Sequence, residues 1–221
     1  MIVAVDGTSG SGKGTLSQAI AKKYNLSYLD TGKLYRIIAF NLLKIKIDNS
    51  LLKDHALKIS KEISYKNLTQ ISYDYLIDDK VSYLSSLVAS FPEVRENLAD
   101  FQRDFAQNYP SSKFGSILDG RDIGSVILPN ADIKIFLDAS PEIRAKRRTN
   151  ELKGKGKSVK FINILKSINE RDFRDKTRET APLLRPKNSL YIDTSNKKLD
   201  EVARVAYKKI DSFIEKRKKI D

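Results

Sequence analysis

The chain has 221 residues, of which 41 are Lys or Arg and 28 are Asp or Glu, giving a formal charge of +13. It contains no cysteine and one histidine, His55, which excludes disulfide frameworks, thiolate nucleophiles, cysteine-ligated zinc or iron–sulfur sites and any multi-histidine metal site. With 40% hydrophobic and 9% aromatic residues, the length suits one α/β domain with a sizeable core, and wholesale disorder is excluded.

Ile2 to Asp6 reads as a buried parallel strand ended by a carboxylate. A glycine-rich loop follows from Gly7 to Gly14, and then Leu16, Ala19, Ile20 and Tyr24 recur at helical spacing. Tyr28-Leu29-Asp30 reads as a second short strand, and Tyr35, Ile38 and Leu42 as a second helix. Leu52, Ala56, Ile59 and Ile63 predict another helix, which carries His55 as a surface or packing residue. Ile71, Tyr73, Tyr75 and Ile77 alternate with Ser72, Asp74, Leu76 and Asp78, a period of two that predicts a half-exposed strand in an inserted α+β patch. Helices run on to about Asn108, broken near Pro92.

Strands then resume at Ser116–Asp119 and Ile133–Asp138, each ending in a carboxylate. A helix bearing Arg144, Arg147 and Arg148 leads into Lys153-Gly154-Lys155-Gly156-Lys157, read as a mobile basic connection. A helix from about Lys160 to Arg178, the strand Leu190–Asp193 and a last helix through Leu199, Val202, Ala206, Ile210 and Phe213 complete the chain. Strands separated by helices predict a parallel sheet covered on both faces. No apolar stretch approaches the roughly 18 residues of a membrane span. Met1 runs straight into the first strand rather than into a signal peptide, so a reducing cytoplasm is the expected home.

The strongest motif is Gly7-Thr8-Ser9-Gly10-Ser11-Gly12-Lys13-Gly14-Thr15, a glycine, four residues, then glycine-lysine between a strand and a helix. Glycines let successive N–H groups turn inward around phosphate oxygens, the helix start adds its own N–H groups and dipole, and Lys13 supplies a mobile charge. Gly14 stands where a Ser or Thr usually binds magnesium, and Thr15 follows one residue later. That puts direct ligation by a loop hydroxyl in question and leaves open whether Thr15 meets a phosphate or the magnesium ion.

The Gly-Lys-Gly-Thr form resembles that of nucleoside monophosphate kinases. Leu29-Asp30-Thr31-Gly32-Lys33-Leu34-Tyr35-Arg36, Asp119-Gly120-Arg121-Asp122-Ile123-Gly124, Ile135–Ser140 and Glu170-Arg171-Asp172 through Arg178 with Ala181-Pro182-Leu183 narrow the resemblance to bacterial cytidylate kinases. The match runs in order from about Val3 to the last helix. It implies a P-loop nucleoside monophosphate kinase fold: a parallel sheet flanked by helices, with an inserted NMP-binding subdomain and a short lid. In a single domain over 1–221, the core would take about 1–30, 113–148 and 179–221. The NMP-binding region would take about 31–112, and the lid and its following helix about 149–178.

The resemblance also implies roles. Gly7 to Thr15 would bind ATP phosphates, with Arg148 beside them and Arg147 on the closing lid as a catalytic group. Lys13, Arg121 and Arg178 would act on the phosphoryl group in flight, and Arg36 on the acceptor phosphate. Thr31, Gly32 and Tyr35 would line the acceptor side, Arg171 and Asp175 would read the sugar hydroxyls, and Ser86, Arg95 and Asp122 the base. Asp119 would order Mg2+ through water, and Asp30 would position Thr31-Gly32. The partners implied are ATP and CMP or dCMP, with no nucleic acid and no membrane, and the chain is expected to be a monomer.

The chemistry agrees with these roles. An acceptor phosphate whose second pKa is about 6 is already ionised at neutral pH, so no general base is required. What is required is cationic clamping and exclusion of water, for which arginine's planar fork is suited. On the helix from Lys160, Phe161, Ile164, Ile168, Arg171, Asp175 and Arg178 share one face, apolar first and then charged, as the wall of a cleft would be. A carboxylate matches cytosine's amino group and repels uracil's carbonyl, so CMP and dCMP are expected above UMP.

The sequence leaves two rivals. Another nucleoside monophosphate kinase is one, although the Asp-Gly-Phe-Pro-Arg pattern of adenylate kinases is replaced by Asp119-Gly120-Arg121-Asp122. A nucleic-acid-dependent ATPase is the other, and it would want basic residues interleaved with aromatics on one surface. The lysines here are dispersed.

Overall fold

The computed structural model describes residues 1–45 and 48–219. The domain limits read from the sequence also span Lys46, Ile47, Ile220 and Asp221, which lie outside the described residues. β1 (Ile2–Gly7) sits in the middle of a five-stranded sheet, between β3 (Ser116–Gly120) and β4 (Ile133–Asp138). β2 (Ser27–Asp30) and β5 (Leu190–Asp193) form the edges, giving the order β2-β3-β1-β4-β5. Every pairing is parallel, with Asp6 opposite Gly120 and Gly7 opposite Leu137. The strands read as continuous apolar runs because helices cover both faces.

Helix α1 (Lys13–Tyr24) and the C-terminal Leu199–Arg217 helix press Leu16, Ile20, Val202, Ala206 and Ile210 onto one face of the sheet, against Val3, Val5 and Ile135. A second core is built from α2 (Thr31–Lys44), α3 (Leu52–Lys61) and the Pro92–Gln107 helix, through Leu34, Ile38, Leu42, Ala56, Val94 and Leu98. A third, smaller cluster joins the Pro141–Gly154 and Phe161–Thr177 helices through Ala145, Leu152, Ile164 and Ile168. Among the described residues no helix is long and apolar enough to cross a membrane.

The expected strand at Ile71–Ile77 does not form. Instead α4 (Tyr65–Gln70), α5 (Tyr73–Leu76) and α6 (Asp79–Val88) follow one another, so the described part of the insert is helical rather than α+β. Adjacent Leu76 and Ile77 are both buried while Tyr75 is exposed, which no alternating strand allows. Local caps decide the outcome: Ser64 and Asn67 box the start of α4, and Asp78 accepts from the Lys80 N–H at the start of α6. The later helices are α7 (Pro92–Gln107), α8 (Pro141–Gly154), α9 (Phe161–Thr177) and α10 (Leu199–Arg217). α8 takes in Lys153 and Gly154, so the basic connection starts only at Lys155. A π-helical turn at Ile123–Ile127, unannounced by any periodicity, follows β3.

Candidate active site

The loop after β1 is shaped by backbone geometry. A side chain at Gly7 would stand 2.1 Å from the Leu137 carbonyl oxygen, and Gly10 and Gly12 take left-handed angles of φ 78° and 92°. Thr8 Oγ1 donates to Asp138 Oδ1 at 2.7 Å and Ser11 Oγ donates to the Thr8 carbonyl at 2.9 Å, fastening the loop. α1 begins behind Gly12 with no side-chain cap, so its first N–H groups face the loop's hollow as an anion site.

Arg144 grips this loop, a residue whose role sequence reasoning missed. It is 2% exposed, and it donates to the carbonyls of Ser9 (3.1 Å) and Ala139 (2.8 Å) and to Asp172 Oδ2 (2.6 Å). The available signal was its partner: Asp172 lies four residues beyond Ile168, continuing the buried Ile164–Ile168 stripe, and a carboxylate there needs a cation.

Beside the loop, the Lys13 ammonium lies near the carboxylate of Asp119 at the end of β3. Burial and the nearby Arg121 guanidinium push Lys13 down, and burial together with Asp30 pushes Asp119 up. Tyr28 donates its hydroxyl to Asp119 Oδ2 at 2.7 Å. A Cβ at Gly14 would stand 3.7 Å from that same oxygen, so position 14 looks at Asp119. Thr15 instead lines a cavity of about 240 Å³ with Gly12, Arg147, Thr194 and Lys197. Among the described residues no cluster of three or more His, Asp or Glu side chains is arranged to hold a metal ion. A desolvated carboxylate next to a phosphate loop fits an ion held through its waters.

Asp30 caps α2 by accepting from the Lys33 N–H, and next to it Thr31 Oγ1 donates to the Asp119 carbonyl at 2.8 Å. Thr31, Gly32, Tyr35, Ser86, Arg95 and Asp122 surround a cavity of about 40 Å³. In its wall Arg95 Nη2 meets Asp122 Oδ2 at 2.5 Å, and Arg178 lies 3.8 Å from the other Asp122 oxygen. Arg121 donates to Asp175 Oδ2 at 2.9 Å, with Arg171 at 3.9 Å and Arg178 at 4.0 Å from the same carboxyl group. Burial alone would raise Asp175, but Arg121, Arg171 and Arg178 outweigh it and hold the carboxyl below its ordinary range. Burial and Arg121 push Arg171 down to about 9. Four guanidinium groups thus face two carboxylates, and Arg171 Nε and Arg178 Nη2 are buried without a hydrogen-bond partner. An arrangement two charges short of neutrality is built for a dianion.

Between the loop and this cluster lies a cavity of about 190 Å³ lined by Ser9, Gly10, Arg36, Arg148, Arg171 and Arg174. Arg36 Nη1 donates to the Leu76 carbonyl (2.6 Å) and Ser82 Oγ (2.9 Å). Arg174, also missed, donates to Ser86 Oγ at 3.2 Å. Arg148 bonds Glu151 and the Ile77 carbonyl, each at 2.9 Å. Arg147 is not brought into the arginine cluster: both its bonds go to Thr194, on the cavity that Thr15 lines.

A family model described as cytidylate kinase matches residues 3–212. A cytidylate kinase of Fusobacterium nucleatum is 39% identical over 221 residues, covering 96% of this chain and 97% of that protein. One from Rhodospirillum rubrum is 42% identical over 195 residues, covering 88% and 90%. The crystal structure of an uncharacterized protein from Eubacterium ventriosum superposes with a TM-score of 0.56 at 14% identity, covering 96% of this chain and 99% of that one, a likeness of fold. With a phosphate loop, a dianion cluster and a family match across nearly its whole length, the chain belongs to the cytidylate kinase family.

Proposed function

We propose that the protein transfers the γ-phosphoryl group of ATP to CMP or dCMP, giving ADP and CDP or dCDP. The observation that carries this reading is the buried Arg95–Asp122 pair lining a small cavity beside the arginine cluster, with Arg95 on α7 and Asp122 just past β3, the strand paired with the one that leads into the phosphate loop. In this reading Asp122 accepts from the exocyclic amine of cytosine and Arg95 donates to the ring acceptors. The names of the relatives support the same acceptor.

The reaction needs positioning more than covalent help. The loop from Gly7 to Thr15 holds the donor phosphates, and Lys13 follows the group in flight. Arg121, Arg171 and Arg178 neutralise the acceptor phosphate, whose oxygen attacks already ionised, and Asp175 keeps the three guanidiniums in register. Mg2+, ordered by Asp119 through water, would neutralise charge on the nucleotide phosphates. Arg148 and Arg147 exchange the roles that the family resemblance suggested: Arg148 lines the cavity between the sites and serves the transferred group, whereas Arg147 beside Thr194 serves the nucleoside half of ATP. The insert and the α8–α9 pair are the two arms that close over acceptor and donor.

A coupled ADP-release assay with CMP, dCMP, UMP, AMP and GMP tests the proposal. CMP and dCMP lead in the expected result, and preference for AMP or GMP overturns it.

A further inference from the structure

We propose that Asp6, at the end of β1, is a positioning residue for base recognition: its carboxylate holds the turn that presents Asp122, and so releases Asp122 to read the base. The inference rests on the reading of Asp122 as the cytosine contact.

Asp6 is 1% exposed and belongs to the strand that leads into the phosphate loop, yet its hydrogen bonds go to the acceptor side. Oδ1 accepts from the Ile123 N–H and Oδ2 from the Gly124 N–H, each at 2.7 Å. These are the first two N–H groups of the π-helical turn at Ile123–Ile127, whose N-terminal flanking residue is Asp122. An aspartate in that place ordinarily bends its own side chain back to cap such groups. Asp122 makes no cap bond, and its carboxylate turns to Arg95 and Arg178 instead. Asp6 therefore caps from a neighbouring strand what Asp122 would otherwise cap from its own.

The choice of a carboxylate is informative. Two parallel N–H donors need two acceptor oxygens, and an amide would set its NH2 against one of them. The charge is costly here: burial pushes Asp6 up to about 7, with Asp122 adding to the rise and Arg121 and the two backbone N–H groups opposing it. The turn is also tightly enclosed, since a Cβ at Gly124 would stand 3.3 Å from Asp6 Oδ2 and 3.1 Å from Pro186 Cγ.

The test compares wild type with Asp6→Asn, measuring kcat/KM for CMP and for UMP and the KM for ATP. Asp6→Asn is expected to lower kcat/KM for CMP about tenfold, the effect of one buried hydrogen bond left unmade, and to lower that for UMP less. The CMP-to-UMP ratio shrinks, and the KM for CMP rises while that for ATP moves less than twofold. A uniform loss with the ratio unchanged, or a rise confined to the KM for ATP, overturns the inference. Should Asp6→Asn not fold, Gly124→Ala disturbs the same turn with Asp6 intact, and the same fall in ratio is expected; an unchanged ratio overturns the inference. A wild type that does not prefer CMP overturns the substrate reading itself, whereas a preference that survives in the variant overturns only the role of Asp6.

Discussion

Arg95 and Asp122 form an ion pair whose side chains are only 6% and 7% exposed, in the wall of the cavity assigned to the base. In a pair buried this deeply neither residue can be removed cheaply, because removing one partner strands the other's charge.

Asp122→Ala is therefore expected to erode the preference for CMP over UMP and also to lose about 3–5 kcal/mol of stability, since Arg95 is left without its carboxylate. Asp122→Asn keeps the shape and a single acceptor, and loses selectivity with a smaller stability cost. Substrate kinetics paired with denaturant titration separate the two effects. An Asp122→Ala variant as stable as wild type would contradict the buried pair.

The excess of two positive charges around Asp122 and Asp175 predicts that CMP stabilises the protein far more than cytidine does. At a ligand concentration of 100 times Kd the gain is about 2.7 kcal/mol. A thermal-shift series with CMP, cytidine and inorganic phosphate measures this, and equal shifts for CMP and cytidine would count against the cluster as a phosphate site.

Tyr28→Phe removes the hydroxyl that donates to Asp119 Oδ2 at 2.7 Å. The Mg2+ concentration for half-maximal rate is expected to rise by up to roughly tenfold, with the KM for CMP unmoved. A magnesium titration at saturating nucleotides is the measurement.

Arg144→Met leaves Asp172 buried without its cation and frees the Ser9 carbonyl, so stability falls by about 3–5 kcal/mol and the KM for ATP rises. The double variant Arg144→Met, Asp172→Leu recovers much of the stability, since a packed apolar pair costs less than an orphaned charge. The affinity for ATP stays impaired, because the loop contact is still missing.

Asp6 also sets a pH dependence of stability. Its folded pKa of about 7 lies above the ordinary 3.8, so between those values the folded chain binds the proton that the unfolded chain has released. Its contribution to stability is thus full below the unfolded value and is lost as pH rises toward 7, by up to about 1.4 kcal/mol per pH unit. The stability of wild type relative to Asp6→Asn is expected to increase as pH falls from 8 to 5, read by denaturant titration at each pH. A pH-independent difference would remove Asp6 as the titrating group.

The strands and the phosphate loop were legible because each is a local pattern: an apolar run, a carboxylate, glycines at fixed spacing. Among the acceptor-side residues, Arg171, Asp175 and Arg178 were marked by helical spacing, whereas Ser86 and Arg95 were legible only through resemblance, since neither carries a local sign of its place. Tyr73 to Ile77 misled because a short alternation of apolar and polar residues fits a strand or successive helical turns equally, and the caps at Ser64 and Asp78 chose the helices. Arg144 and Arg147 are alike in sequence, and only the burial of Asp172 on one side and the position of Thr194 on the other separate their roles.

Asp6 and Gly120 are partners in the β1–β3 ladder, so the donor loop starting at Gly7 and the acceptor turn starting at Arg121 leave adjacent strands at the same level. Neighbouring strands keep a spacing of about 4.8 Å whatever the surrounding helices do. Under the proposed reaction the sheet would act as a ruler, because the backbone hydrogen bonds between β1 and β3 fix the separation of the two points from which the loop and the turn depart. The helical insert and the α8–α9 pair would then govern admission and departure, and a substitution in them would change turnover without changing how far the group has to travel.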